Sequence, residues 1–198
     1  MIKMNQPSKG FSLVEVLVVI ALVTVIGLIL TEVFFRSIRG GNKAQALATI
    51  KQNGQATLES LDKNIRSSDN IICPRVIPPS MKAESDVLVI VNNGAYTRYR
   101  LVTMRIVEDH PMLQADVTQE EFLLDICTNV DLSYALPIAI TDLGKVAVVS
   151  SNVFELDKSA GFKDIVRINF LLEPGQEVPK IVADQIDPVP FVTTIQLR

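Results

Sequence analysis

The chain has 198 residues, of which 48% are hydrophobic, and its formal net charge is −3. This length accommodates one ordinary domain and an anchor segment, and this hydrophobic content excludes wholesale disorder. The basic residues form no run, so the sequence carries no direct signal for a nucleic-acid partner.

The first predicted element is an apolar segment long enough to cross a membrane. Residues 11–30 contain only three polar side chains, Ser12, Glu15 and Thr24. A helix of this length spans about 30 Å, which is the thickness of the hydrocarbon core of a bilayer. A secretory signal peptide is the competing interpretation, but its apolar stretch is shorter and ends in an Ala-x-Ala site, which is missing here.

The carboxylate of Glu15 is unusual in this segment. An acid at the centre of a membrane helix costs about 2.5–3.5 kcal/mol on insertion scales, so such residues are candidates for a functional role. Glu15 is close to the start of the segment, and the alternative is that it stays among the lipid headgroups at little cost. Counting basic residues on the two sides gives no clear orientation for the segment.

The stretch from Lys9 to Leu17, KGFSLVEVL, resembles the processing signature of type IV prepilins and pseudopilins. The resemblance implies that a prepilin peptidase cuts after Gly10 and methylates Phe11, and that Glu15 is the filament-assembly residue. It also implies an N-terminus in the cytoplasm of a single-pass inner-membrane protein, a head outside, and other pilin subunits as partners. The resemblance also implies that membrane lipid surrounds the helix before assembly.

A second helical pattern follows the apolar segment. Apolar residues recur with a period near 3.6, which predicts an amphipathic helix that needs a sheet to cover its stripe; they are Leu47, Ile50, Leu58, Leu61 and Ile65. Two readings of Gly40-Gly41 stay open, a flexible joint and a continuous helix that tolerates both glycines.

The rest of the chain has the character of β-structure. Residues 86–91 and 95–102 flank Asn93-Gly94, the favoured pair for a type I′ turn, and so predict a hairpin. Arg98 and Arg100 alternate with Tyr99 and Leu101, which predicts that one face of the second strand is wet. Further strands are expected at residues 122–127, 146–149, 153–156, 165–172 and 191–197.

Helix first and strands afterwards give an α+β order rather than a βαβ order. The predicted architecture is pilin-like, with a long N-terminal helix packed on an antiparallel sheet. We expect a leader at residues 1–10, a transmembrane and filament-core helix at 11–35, its amphipathic continuation at 36–66, and a β-rich head outside the cytoplasm at 67–198. Residues 58–66 and 191–198 resemble those of J-type minor pseudopilins and W-type minor pilins.

The two cysteines, Cys73 and Cys127, lie far apart and form no CxxC pair, which excludes a zinc ribbon. One disulfide between them and two buried thiols are both compatible with the sequence.

No catalytic motif is apparent. His110 is the only histidine and lies beside Pro111, and the acidic residues Asp116, Glu120, Glu121 and Asp125 lack the spacing of a calcium loop. We therefore expect no enzyme activity, no cofactor and no metal. The function predicted is a minor structural subunit of a type IV pilus or of a type II secretion or competence pseudopilus. The alternative is a single-span surface or adhesin-like binding domain that does not polymerise.

Overall fold

The computed structural model describes residues 12–77, 80–112, 118–128, 137–159 and 161–197. The first element is helix α1, Leu13–Arg66, which includes Gly40 and Gly41. The chain divides into two units at the boundary between Asn42 and Lys43. The head described below is the second unit, Lys43–Arg198.

Two antiparallel sheets make up most of the head. Sheet A has the strand order β1-β3-β4-β5-β6, and sheet B has the order β10-β9-β8-β2 with β7 paired to β9. The strands of sheet A are β1 Asn70–Cys73, β3 Val87–Asn92, β4 Ala95–Val102, β5 Arg105–Asp109 and β6 Ile138–Ala139. Those of sheet B are β2 Lys82–Ser85, β7 Val146–Val148, β8 Phe154–Asp157, β9 Ile165–Pro174 and β10 Val189–Gln196. Two short helices, α2 Gln119–Asp125 and α3 Lys180–Ala183, complete the described elements.

The predicted α+β architecture, a long N-terminal helix followed by an antiparallel β head, is confirmed. The hairpin is confirmed in detail, because β3 and β4 pair from Val87↔Arg100 to Asn92↔Ala95 around Asn93-Gly94. Both turn residues have positive φ, 50° and 80°, as a type I′ turn requires. The later strands appear close to their predicted positions, except for residues 122–127.

The strand predicted at residues 122–127 is wrong. This stretch belongs to α2 and to the turn after it, because Thr118 caps the helix. The Thr118 side chain accepts a hydrogen bond from the Glu121 backbone N–H, and the Glu121 carboxylate accepts one from the Thr118 backbone N–H. This capping box favours a helix over a strand.

One large core joins the C-terminal part of α1 to both sheets. The side chains of Ile50, Leu61 and Ile65 are almost completely buried there, as the predicted apolar stripe requires. Their neighbours include Leu88, Ile90, Tyr99, Ile106, Phe154, Leu156, Ile168, Phe170, Leu172 and Ile195. Residues 43–66 of α1 are therefore held against the two sheets by burial of apolar surface, at about 25 cal/mol per Å².

A glycine sets the distance between α1 and sheet B. A Cβ atom at Gly54 would overlap the ring of Phe191, which stacks on Phe170 with ring centroids 5.5 Å apart. The missing side chain in the apolar stripe is therefore the place where an aromatic ring from β10 meets the helix.

A smaller core lies on the opposite face of sheet A. Val89 is between Leu88 and Ile90 in β3, and strand alternation directs it away from α1. It packs there with Cys73, Phe122 and Ile126, so α2 covers this face of the sheet. Strand β3 is consequently buried on both faces.

Candidate functional site

The N-terminal signature is only partly within the described residues. Gly10 and Phe11 lie outside them, so cleavage after Gly10 and methylation of Phe11 stay predictions. Glu15 lies in the first turn of α1 and is exposed. A carboxylate in the first turn is also favoured by the partial positive charge of a helix N-terminus.

The first part of α1 is apolar on every side. The large hydrophobic residues between Leu13 and Ile38 are 44–76% exposed. This helix is long and apolar enough to cross a membrane, and none of its most apolar 18-residue window is buried within the protein. A surface helix of a water-soluble domain has a polar face instead. The segment is consistent with single-pass anchoring in the inner membrane.

Two threonines of this segment form hydrogen bonds to the helix backbone. The hydroxyl groups of Thr24 and Thr31 donate to the carbonyl oxygens of Ile20 and Gly27, each at 2.8 Å. After the apolar run, Glu32 and Arg36 form an ion pair one helical turn apart. No described side chain pairs with Glu15, which leaves its carboxylate available to a partner from outside the described residues.

The head contains a buried group of charges that contradicts the predicted wet face of β4. Arg98 is 1% exposed and Asp109 is 1% exposed. The Arg98 guanidinium donates to both carboxylate oxygens of Asp109, at 2.7 and 3.0 Å, and to the backbone carbonyl of Ile126 at 3.4 Å. Arg100 donates through Nε to the same carboxylate at 2.9 Å.

The register explains this arrangement. Arg98 faces Asp109 across β4 and β5 and faces Val89 across β4 and β3, which puts it on the side of sheet A that α2 covers. The alternation of Arg98 and Arg100 with Tyr99 and Leu101 was correctly recognised. The prediction that the arginine face is wet is wrong, because β5 supplies Asp109 and α2 covers this face, and the sequence pattern predicts neither element.

The opposite face of β4 carries a buried phenol. Asn64 of α1 donates its side-chain N–H to the Tyr99 hydroxyl at 2.6 Å, and Tyr99 is completely buried. Burial raises the pKa of the Tyr99 hydroxyl above its ordinary value, and the negative charge of Glu108 raises that pKa further. The phenol therefore holds its proton and links the helix to the sheet.

Cys73 and Cys127 form a disulfide, with Cα atoms 5.8 Å apart. The sequence alone is compatible with this disulfide and with two buried thiols. The bond connects β1 to the turn after α2, and Cys73 is part of the smaller core with Val89 and Phe122. It closes α2 over the face of sheet A that contains Arg98 and Asp109.

The remaining candidate residues that the structure describes are not brought together into a chemical site. His110 is exposed, with its Nε2 atom 3.4 Å from the Glu108 carboxylate. Glu120, Glu121 and Asp125 are exposed on α2, and the hydrogen bond from Thr118 lowers the pKa of Glu121. Asp116 lies outside the described residues. Among the described residues, no group of His, Cys, Asp and Glu side chains has the geometry of a metal site.

The outer face of sheet B carries a ladder of ion pairs. Glu155 accepts from Lys82 at 3.1 Å and from Arg167 at 2.8 Å. These hydrogen bonds and charges lower the pKa of Glu155. The pairs are partly or mostly exposed, so they are expected to contribute little stability.

A family model described as the prokaryotic N-terminal methylation motif matches residues 5–31. No curated protein and no solved structure matches the chain. A single long apolar helix followed by an antiparallel β head defines the pilin-like class of architecture. The methylation motif at residues 5–31, together with this architecture, supports a type IV prepilin- or pseudopilin-like protein. The motif implies processing by a prepilin peptidase and assembly with other pilins, and nothing in the described residues indicates catalysis.

Proposed function

We propose that this protein is a minor structural subunit of a type IV pilus or of a type II secretion or competence pseudopilus. The observation that carries the proposal is the methylation motif at residues 5–31, which overlaps the first part of α1, where the large apolar side chains from Leu13 to Ile38 are exposed. Such a surface is stable in lipid before assembly and among the helices of neighbouring subunits afterwards. A structural subunit needs no catalytic group.

In this proposal the ten residues up to Gly10 are removed and Phe11 becomes a methylated N-terminal residue. Its amine and the Glu15 carboxylate are opposite charges in a surrounding of low dielectric constant. A charge buried there is stable only when it is paired. The Glu15 carboxylate of an incoming subunit therefore pairs with the amine of a neighbour and fixes its axial position.

The disulfide supports a head outside the cytoplasm. Disulfides persist in oxidising compartments and are rare in the cytosol. Cys73 and Cys127 both belong to the head. We therefore propose that the N-terminus lies in the cytoplasm and that the head is exported before the subunit joins a filament.

Substitution of Glu15 tests the assembly step. We expect Glu15→Ala to leave cleavage after Gly10 unchanged and to reduce incorporation into sheared filaments or pseudopili by about tenfold or more. This corresponds to the loss of about 1.4 kcal/mol or more from one buried charge pair. Immunoblotting of the membrane and filament fractions measures both steps.

Glu32→Ala is the matched control for this experiment. Glu32 is an acid on the same helix, but it is already paired with Arg36 at an exposed position. We expect this variant to be incorporated like the wild type. Normal incorporation of Glu15→Ala would contradict the proposal and favour an anchored binding domain that does not polymerise.

A further inference from the structure

The two sheets of the head end in edge strands that differ in how they are protected. Exposed edges attract other strands, and proteins usually blunt them with short length, charged side chains, bulges or coverage. Sheet A ends in β1 and β6, and the main path of sheet B ends in β2 and β10; β7, which pairs only with β9, is a further edge of three residues. Comparing these edges identifies the one that is open to pairing.

Three of the edges carry a protective feature. Strand β6 has two residues, and β1 has four residues with a register shift between Ile71 and Cys73. The Lys158 ammonium donates to the Ile71 carbonyl, which occupies one backbone acceptor of β1. Strand β2 also has four residues and carries two charged side chains, Lys82 and Glu84.

Strand β10 has none of these features over most of its length. It has eight residues, Val189–Gln196, pairs with β9 without a register shift, and contains no charged side chain. Pro190 lies at its beginning, which leaves the later residues free to pair. Val192 is 59% exposed, although it is a large apolar residue.

The hydrogen bonds of β9 show which backbone groups of β10 face outward. The Asn169 N–H donates to Val153, away from β10, so the ladder between β9 and β10 passes through the alternate residues, including Ile168 and Thr193. The N–H groups of Val192, Thr194 and Gln196 therefore point away from the sheet. Among the described residues, none of these three N–H groups donates a hydrogen bond.

We propose that the outer edge of β10 binds an extended, uncharged segment of a neighbouring pilin-like subunit as an added strand. Outward donors and acceptors at every second residue match the backbone of another strand. Strand β10 has no charged side chain with which a charged segment could pair, which favours a segment without charge. The inference rests on the proposed function, because the partner is taken to be a subunit of the same assembly.

The partner segment is not β10 of a second copy. Two β10 strands pairing antiparallel would present the same surface to each other and form a closed two-fold dimer. A filament grows through contacts between two different surfaces, because a self-complementary contact ends with the pair. The added strand must therefore come from another part of the neighbouring subunit.

Photo-crosslinking of the full-length protein in its native membrane tests the proposal. Benzoylphenylalanine replaces Thr194 in one strain and Asn169 in another. Both residues are on the outer face of sheet B, but Asn169 is on the central strand β9. We expect an adduct with another pilin-like subunit from position 194, mapped by mass spectrometry to an extended uncharged segment, and at most one tenth of that yield from position 169.

Two substitutions of Val192 then separate backbone pairing from side-chain contact. Val192→Pro removes an outward N–H and leaves the ladder with β9 in place, whereas Val192→Ala keeps the N–H. We expect Val192→Pro to lower the adduct yield from position 194 about tenfold and Val192→Ala to lower it less than twofold. Protease resistance of the head and the intact Cys73–Cys127 disulfide check that both variants are folded.

A second pair of variants covers the case in which Val192→Pro does not fold. Thr194→Lys puts a charge on the edge, and Asn169→Lys puts the same charge on the central strand. With the crosslinker at Gln196, we expect a loss of adduct only for Thr194→Lys.

Several results would overturn the proposal. They are no adduct from the edge positions, an adduct only with β10 of a second copy, or equal loss of adduct in the two members of either variant pair. N-terminal sequencing of the same samples keeps the two claims apart. A chain that starts at Phe11 but gives one of these results contradicts the edge proposal alone, whereas an uncleaved chain contradicts the proposed function.

Discussion

The N-terminal part of α1 exposes apolar side chains, whereas the head buries charged ones. From Leu13 to Ile38 the helix exposes its large apolar side chains, whereas the head buries Arg98 and Asp109 almost completely. The helix segment has no interior of its own and requires apolar surroundings supplied from outside. The head has an interior of its own, in which the buried charges of Arg98 and Asp109 are paired with each other. A charged pair on the surface of the helix and a charged pair inside the head should therefore contribute differently to the free energy of unfolding.

The largest expected difference is between the buried Asp109 with its two arginines and the exposed pair of Glu32 and Arg36. Asp109→Asn removes the carboxylate that two buried arginines share, and we expect the head to lose about 3–5 kcal/mol of unfolding free energy. Glu32→Gln breaks an exposed pair within one helix, and we expect a change of at most about 0.5 kcal/mol. Chemical denaturation of the full-length protein in detergent, followed by near-UV circular dichroism, measures both. Equal effects would mean that the charges of the head are not truly desolvated.

Glycines sharpen the comparison at a smaller scale. Gly54→Ala forces a methyl group into the ring of Phe191, and we expect a loss of about 1–3 kcal/mol from overpacking. Gly40→Ala meets nothing within 4 Å. It should gain about 0.5–1 kcal/mol from helix propensity. Thermal unfolding of the two variants checks the opposite signs, and a tolerated Gly54→Ala would contradict the close contact between α1 and β10.

The last prediction depends on pH and belongs to the head. Burial raises the pKa of Tyr99 in the folded protein, so its stabilising contribution is complete below the ordinary pKa near 10. As the pH rises above 10, the unfolded chain loses this proton first and the stability falls, by at most about 1.4 kcal/mol per pH unit. Tyr99→Phe should reduce this alkaline loss. If the free energy of unfolding of Tyr99→Phe fell between pH 10 and 11 as steeply as that of the wild type, the Tyr99 phenol would not be the cause of the alkaline loss.

The features that could be predicted from the sequence depend on local patterns. The apolar run, the stripe at Leu61 and Ile65, and the turn at Asn93-Gly94 each specify their structure within a few residues. The buried cluster could not be predicted in this way. Arg98 and Asp109 meet only through the register of β4 and β5, and their burial depends on a helix whose capping box at Thr118 had not been recognised.

The signature before the helix was recognisable because its elements are consecutive. Gly10, Phe11 and Glu15 precede or begin one apolar segment, and the methylation-motif match covers the same stretch. The open edge of β10 could not be predicted from the sequence. Which strand lies at the edge of a sheet is decided by the strand order, and strands distant in sequence determine that order.

The most direct test of the central claim is the mass of the mature N-terminal peptide. The protein is isolated from the membranes of cells that contain the prepilin peptidase, digested with a protease and analysed by mass spectrometry. The account predicts a peptide that begins at Phe11 and carries one additional methyl group on its amine. A peptide that begins at Met1, or one produced by cleavage after the apolar segment, would contradict it.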